Sequence, residues 1–242
     1  MYYKADKVKS KSHIAIQTNY FDNYDNLNKE SIDLYDRFLI DDFDYYCTHI
    51  LGLIPNNNGN VVYIDFNKDI HHTNRQVQVN DTLHIGMDFN ITNMAAVVHV
   101  VDNGIKYAVD EFTKVYDTNN MCQLIERKYK GHKIIIYPDA SGNNRKSNGT
   151  SDFDIIKNYG WTIKASNKNG SVRDRINNVN TEFRTNKYFI NTYSCADYTD
   201  ALMRIMYDKT GAPDKKSGFD HVTDAGGYFI VNSNVKKIMV RW

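Results

Sequence analysis

A chain of 242 residues is long enough for one α/β domain with an extension and crowded for two independent domains. With 41% hydrophobic and 24% charged residues the composition is ordinary for a globular protein, which argues against disorder throughout. No apolar run approaches the roughly 20 residues of a membrane span, and Met1-Tyr2-Tyr3-Lys4 lacks the apolar centre of a signal peptide, so a cytosolic protein without a membrane partner is expected.

The net charge of +1 conceals an asymmetry: Arg127 to Lys187 holds 13 Lys or Arg against five Asp or Glu, while residues 1–80 hold eight basic against 11 acidic side chains. A basic stretch beside a carboxylate cluster suits a phosphate polymer. Cys47, Cys122 and Cys195 are odd in number and far apart, which supports neither a disulfide framework nor a paired zinc motif.

Residues 1 to about 20 are polar and basic without a sustained period and read as a loose lead-in. From Leu27 to Leu51 apolar residues recur at spacings of three and four, which predicts two short helices divided near Asp41 and Asp42. Turn formers over Ile54 to Asn60 precede a short predicted strand, Val61–Ile64. This gives a helical connector over 1–80 and a main domain over 81–242.

Leu83, Ile85 and Met87 alternate up to Asp88, Met94–Val101 forms a second strand, Asp102-Asn103-Gly104 turns, and Ile105–Val109 returns as a third. A helix capped by Asp117 leads to the apolar strand Lys133–Tyr137, expected to be central and parallel to an earlier one. Ser151 caps the next helix, Trp161–Lys164 is the fifth strand, and a helix marked by Val172, Ile176, Val179 and Phe183 follows. Tyr188–Ile190 reads as a short edge strand, Ala196–Tyr207 as a helix and about His221–Val231 as the last one. The expected fold is a mixed five-stranded sheet, three antiparallel strands and then parallel ones, flanked by helices.

Three aspartate motifs carry the chemistry: Ile85-Gly86-Met87-Asp88-Phe89-Asn90, Ile136-Tyr137-Pro138-Asp139-Ala140-Ser141-Gly142 and Asp220-His221-Val222-Thr223-Asp224-Ala225. Asp88 and Asp139 end strands that are neighbours in this sheet, so both project from one edge, and Asp224 lies with His221 on one face of the last helix. Hard oxygen ligands of this kind suit Mg²⁺ or Mn²⁺. Phosphodiester hydrolysis uses two such ions about 3.5–4 Å apart. Each acid also has a plainer use, since an aspartate at a strand end or helix start is commonly a turn or cap residue; Asp220 reads as a helix cap, and Asp110 and Glu111 as spare acids at the end of the third strand. Lys164, Lys168, Arg173 and Arg175, which follow the fifth strand and open a helix, together with Arg145 and Lys146 on the loop after Asp139, are placed to meet DNA phosphates. The plainer use of Arg173 and Arg175 is pairing with nearby acids.

The strand ending Gly86-Met87-Asp88, the end Tyr137-Pro138-Asp139, the run Val172-Arg173-Asp174-Arg175-Ile176-Asn177-Asn178-Val179-Asn180 and the closing His221-Val222-Thr223-Asp224-Ala225-Gly226-Gly227-Tyr228 resemble the nuclease domain of the large terminase subunit of tailed bacteriophages, a ribonuclease H-like domain. The resemblance covers about Thr82 to Asn232. It implies a two-metal endonuclease that cuts concatemeric double-stranded viral DNA in the host cytoplasm, with Asp88, Asp139 and Asp224 as metal ligands, His221 beside them and Asp220 as a further acid in the site. It also implies the packaging ATPase, the portal and the small terminase subunit as partners. No Gly-x-x-x-x-Gly-Lys-Ser/Thr loop occurs in the chain, so ATP hydrolysis is not assigned to it. The competing expectations are a resolvase- or transposase-like nuclease of the same fold and a noncatalytic DNA-binding or docking module of the motor.

Overall fold

The computed structural model describes residues 2–3, 19–41, 46, 50–52, 54–55, 61–145 and 149–233. The chain divides into two compact units, Met1–Asn60 and Val61–Trp242.

In the first unit Tyr2–Tyr3 (β1) pairs antiparallel with Ile54–Pro55 (β2). A 3-10 segment, Tyr20–Asn26, is capped reciprocally by Asn19 and Asp22 and precedes the helix Lys29–Asp41 (α1). Tyr20 and Tyr46 pack with Leu27, Tyr35, Phe38, Ile50 and Leu51. The expected first helix is present; most of the second, and most of the lead-in, lie outside the described residues.

The second unit begins earlier than the expected boundary near residue 80. Val62, Tyr63 and Phe66 are part of its core. Val61–Ile64 is not a strand: Val61 forms an isolated bridge to Met206 and the chain then turns. The turn is held by Asn180, whose amide donates to the Val62 carbonyl at 3.0 Å. A short helix, Lys68–His71 (α2), completes this stretch.

The sheet has six strands: Thr82–Asp88 (β3), Met94–Asp102 (β4), Ile105–Val115 (β5), Lys133–Pro138 (β6), Thr162–Ile163 (β7) and Tyr188–Ile190 (β8). Their order is β7-β6-β3-β4-β5-β8. The meander β3-β4-β5 is antiparallel, β6 runs parallel to β3, β7 parallel to β6, and β8 parallel to β5. The five expected strands are therefore joined by the short edge strand, which pairs with β5 through Lys106, Tyr107 and Ala108. Among the described residues the pairing with β8 ends at Ala108, and the strand continues to Val115, six residues past the expected end. Asp110 and Glu111 are thus mid-strand and point to opposite faces. Asp110 accepts from the Tyr129 hydroxyl and pairs with Lys128 at 2.6 Å.

Helices cover both faces: Thr118–Tyr129 (α3), Asp152–Asn158 (α4), Val172–Arg184 (α5), Ala196–Arg204 (α6) and Asp220–Ser233 (α7). The caps read from the sequence are made, Asp117 accepting from the Asn120 amide and Ser151 forming a reciprocal cap with Asp154. Helix α6 stops at Arg204, short of Tyr207; its first amides, those of Asp197 and Tyr198, donate to Glu111 at 2.8 Å each. Burial raises that carboxyl to about 7 in spite of the two bonds.

Strand alternation sorts the core. Leu83, Ile85 and Met87 face one apolar layer with Ile134, Ile136, Met121 and Ile125. The opposite layer joins Ala95, Val97, Ile135 and Tyr137 to α5, α6 and α7 through Ile176, Val179, Tyr198, Leu202, Ala225 and Phe229. His84, Gly86 and Asp88 share the α7 face, as do Ile135, Tyr137 and the next alternate residue, Asp139.

His99 lies fully buried on that face, stacked on Phe229 at 4.1 Å, with its ring nitrogens 3.1 Å from the His84 carbonyl oxygen and 2.8 Å from the Tyr188 hydroxyl. Burial lowers its pKa to about 3. The unfolded chain, with histidine near its ordinary 6.5, therefore takes up a proton that the folded chain refuses, and His99 removes stability as pH falls below about 6.5. The raised carboxyls of Glu111, Asp88 and Asp224 act in the opposite sense, so the comparison must be differential. Urea unfolding at pH 7.5 and pH 5 is expected to show a smaller acid loss in His99→Gln than in the parent, by on the order of 1 kcal/mol per pH unit; equal slopes would contradict the buried neutral imidazole.

Candidate active site at the sheet edge

Strands β3 and β6 run parallel and end together, the Asp139 amide donating to the Met87 carbonyl at 3.0 Å. Asp88 and Asp139 consequently leave the sheet side by side on the α7 face. Helix α7 crosses the sheet at Gly86, where any Cβ would overlap the Ala225 carbonyl oxygen and approach Phe229 Cβ at 3.3 Å. That contact sets Asp220, His221 and Asp224, which lie one helical turn apart, beside the strand ends.

Each acid has protein partners. Asp88 is 8% exposed, and its Oδ2 lies 3.1 Å from His221 Nδ1. The Asn90 amide is 2.8 Å from His221 Nε2. When that amide donates, the ring is neutral with its proton on Nδ1, facing Asp88. Asp139 Oδ1 accepts from the Ser141 amide at 2.6 Å and from Asn169 Nδ2 at 2.7 Å, and Oδ2 accepts from the Tyr228 hydroxyl at 2.8 Å. Asp139 is thus a cap of the following 3-10 turn as well as a member of the cluster. Asp224 Oδ1 is 2.6 Å from Arg175 Nη2. Asp220 is 7% exposed, and among the described residues its Oδ1 has no hydrogen-bond partner; His221 Nε2 is 3.9 Å away. Asp220 opens α7 as its first residue rather than capping it from outside.

The electrostatics follow from burial and mutual repulsion. Burial, then Asp139 and Asp220, push Asp88 above the usual carboxylate range against the pull of His221. Burial, then Asp88 and Asp220, raise Asp224 against the pull of Arg175. For Asp139 burial is outweighed by the donors from Ser141, Asn169 and Tyr228, and its pKa is lowered. The bond to Asp88 raises His221. Burial likewise raises Tyr228, which keeps the proton it donates to Asp139. Among the described residues no group of three or more His, Cys, Asp or Glu stands ready-made around a metal position. The donor set is nevertheless one a hard divalent cation fits: carboxylate oxygens, one of them buried without a partner, whose mutual repulsion a cation would relieve.

The residues expected to meet DNA divide. Lys164, Lys168, Arg173 and Arg145 are exposed, and Lys146 lies outside the described residues. Lys164 follows β7, its amide donating to Ile136 at 2.8 Å, on the same sheet edge as the acids. Arg175 differs from expectation: it is 5% exposed, stacked under Tyr228 at 4.6 Å and paired with Asp224, so it is not placed to meet DNA. Its position, one before Ile176, four before Val179 and eight before Phe183, is that of the buried stripe of α5, and this spacing is the signal that identifies it. Tyr228 has a similar signal, four residues after Asp224 on the same helical face. Asn90 and Asn169 carry no distinguishing pattern.

The terminase RNaseH-like domain family matches residues 85–233, more than half of the chain. The chain belongs to this family. The large terminase of the thermophilic bacteriophage D6E has a similar fold, with a TM-score of 0.54 at 20% identity over 84% of this chain and 52% of that one. The P22 large terminase nuclease domain is similar with a TM-score of 0.54 at 15% identity, over 69% of this chain and 89% of that domain. The large terminase nuclease of thermophilic phage G20c, crystallised with bound cobalt, gives 0.53 at 12% identity over 72% of this chain and 98% of that one. At these identities the likeness is one of fold. The chain spans about half the length of the D6E protein. No curated protein matches the chain, and among the described residues no helix is long and apolar enough to cross a membrane.

The family fold puts its acids together only if α7 keeps its approach to β3. Gly86→Ala forces Ala225 away and is expected to lower unfolding free energy by about 1–3 kcal/mol. Chemical denaturation checks this, and an unchanged midpoint would contradict the close crossing.

Proposed function

We propose that this chain is the nuclease portion of a phage terminase large subunit, a divalent-metal-dependent endonuclease acting on double-stranded DNA. The observation that carries the reading is the gathering of Asp88, Asp139, Asp220 and Asp224 at one sheet edge, with two of them raised by burial and by one another. Asp88, Asp139 and Asp224 would hold two Mg²⁺ or Mn²⁺ ions, with Asp220 adding charge. Divalent ions bound there would supply an activated water and offset charge on the phosphoryl oxygens. His221 steadies Asp88 through Oδ2, leaving Oδ1 for the cation. Tyr228, Asn169 and the Ser141 amide fix the direction of Asp139.

Lys164, Lys168, Arg173 and Arg145 would bind backbone phosphates, which favours weak sequence preference because phosphate contacts carry no base information. The substrate would be concatemeric viral DNA in the host cytoplasm, cut when packaging begins and ends. The packaging ATPase, the portal and the small terminase subunit would be partners, and the ATPase would be supplied from outside the 242 residues. A noncatalytic docking role has one observation in its favour: Asp139 and Asp224 already serve as a cap and an ion-pair partner.

Cleavage of supercoiled plasmid separates the two. Nicking and linearisation are expected with Mn²⁺ or Mg²⁺ and none with EDTA. Asp139→Asn and Asp224→Asn, made separately, are each expected to lose at least the roughly 10–100-fold that removal of an outer-shell partner costs a metal site. Full cleavage by either folded variant, or cleavage in EDTA, would overturn the assignment.

A further inference from the structure

We infer that Arg175 is a positioning residue whose charge sets how tightly the acid cluster holds a divalent cation. The inference rests on the metal-site reading above and deepens it. Four carboxylates meet at the sheet edge, and among the described residues the guanidinium of Arg175 is the permanent positive charge paired with one of them, Asp224, since His221, beside Asp88, carries charge only when protonated. Arg175 Nη2 lies 2.6 Å from Asp224 Oδ1, so one oxygen of that acid is engaged.

The guanidinium is built into place. Helix α5 delivers it from the buried stripe, the Tyr228 ring lies 4.6 Å from it, and Gly227 leaves the room it needs, since a Cβ there would sit 2.7 Å from Arg175 Cγ and Cδ. The same Tyr228 donates to Asp139 Oδ2 at 2.8 Å, so one stacked pair holds two of the acids. A purely stabilising ion pair would satisfy its donors, yet Arg175 Nε is buried without a hydrogen-bond partner. The arrangement keeps the carboxylates together without a metal, and its cost is that a fixed positive charge opposes an incoming cation at short range. A DNA phosphate entering the site adds negative charge and offsets that opposition, so cation loading is tied to the presence of substrate.

Calorimetric titration with Mn²⁺, without DNA, tests this on the parent chain, Arg175→Gln and Arg175→Lys. Arg175→Gln is expected to bind Mn²⁺ about 10-fold tighter than the parent. It is also expected to melt lower in EDTA and to recover with Mn²⁺. Arg175→Lys, which keeps the charge, is expected to stay near the parent. Weaker or unchanged binding in Arg175→Gln, or equal tightening in Arg175→Lys, overturns the inference while leaving the metal site standing. Absence of Mn²⁺ binding in both the parent and Arg175→Gln removes the metal reading and this inference with it. Should Arg175→Gln not fold, NMR of the parent decides: the Arg175 Nε–H resonance is expected to move as Mg²⁺ is added, and an unmoved resonance overturns the proposal.

Discussion

The contact between the backbone of α7 and the glycine of β3 governs the arrangement at the sheet edge. Gly86 has no side chain to hold the helix away, and the Ala225 carbonyl occupies the space. Phe229 then reaches His99, and the first turn of the helix overhangs the ends of β3 and β6. A larger residue at position 86 would lift the helix and carry Asp224 and His221 off the strand ends. The packing of an apolar interface therefore decides the spacing of polar groups that do not themselves pack.

Such a cluster is held together against its own charge. Buried like charges repel strongly in a medium less polarisable than water, and the chain answers with directed partners: an imidazole for Asp88, a guanidinium for Asp224, and an amide, an asparagine and a phenol for Asp139. Asp220 is left with an unpartnered oxygen. The partners are outer supports in chemical terms, since each takes one side of a carboxylate and fixes the direction of the other.

The sheet edge was largely legible in the sequence because two periodic signals coincide there. Leu83, Ile85 and Met87 alternate into Asp88, and an apolar strand following a helix runs into Asp139, so parallel pairing alone brings the two acids together. The helix caps at Asp117 and Ser151 were legible for the same reason, that one residue type answers one local need. Features decided by tertiary contact were not. Val61–Ile64 has the composition of a strand but is turned by the Asn180 amide. Strand β5 outruns its apolar pattern because Asp110 and Glu111 find partners on α3 and α6. Arg175 was read by its charge as a phosphate contact, although its place in the α5 stripe made it a buried residue. Where charge and helical face disagree, the face decides, because an ion inside the stripe must bring its partner with it.

The proposed divalent-metal site at these acids is open to direct observation. Crystals grown or soaked with Mn²⁺ and measured for anomalous scattering test it most directly. Two peaks about 3.5–4 Å apart, bounded by Asp88, Asp139 and Asp224, are expected. No peak at this edge at saturating Mn²⁺, with Asp224 still on Arg175 and Asp139 still on Tyr228, would contradict it.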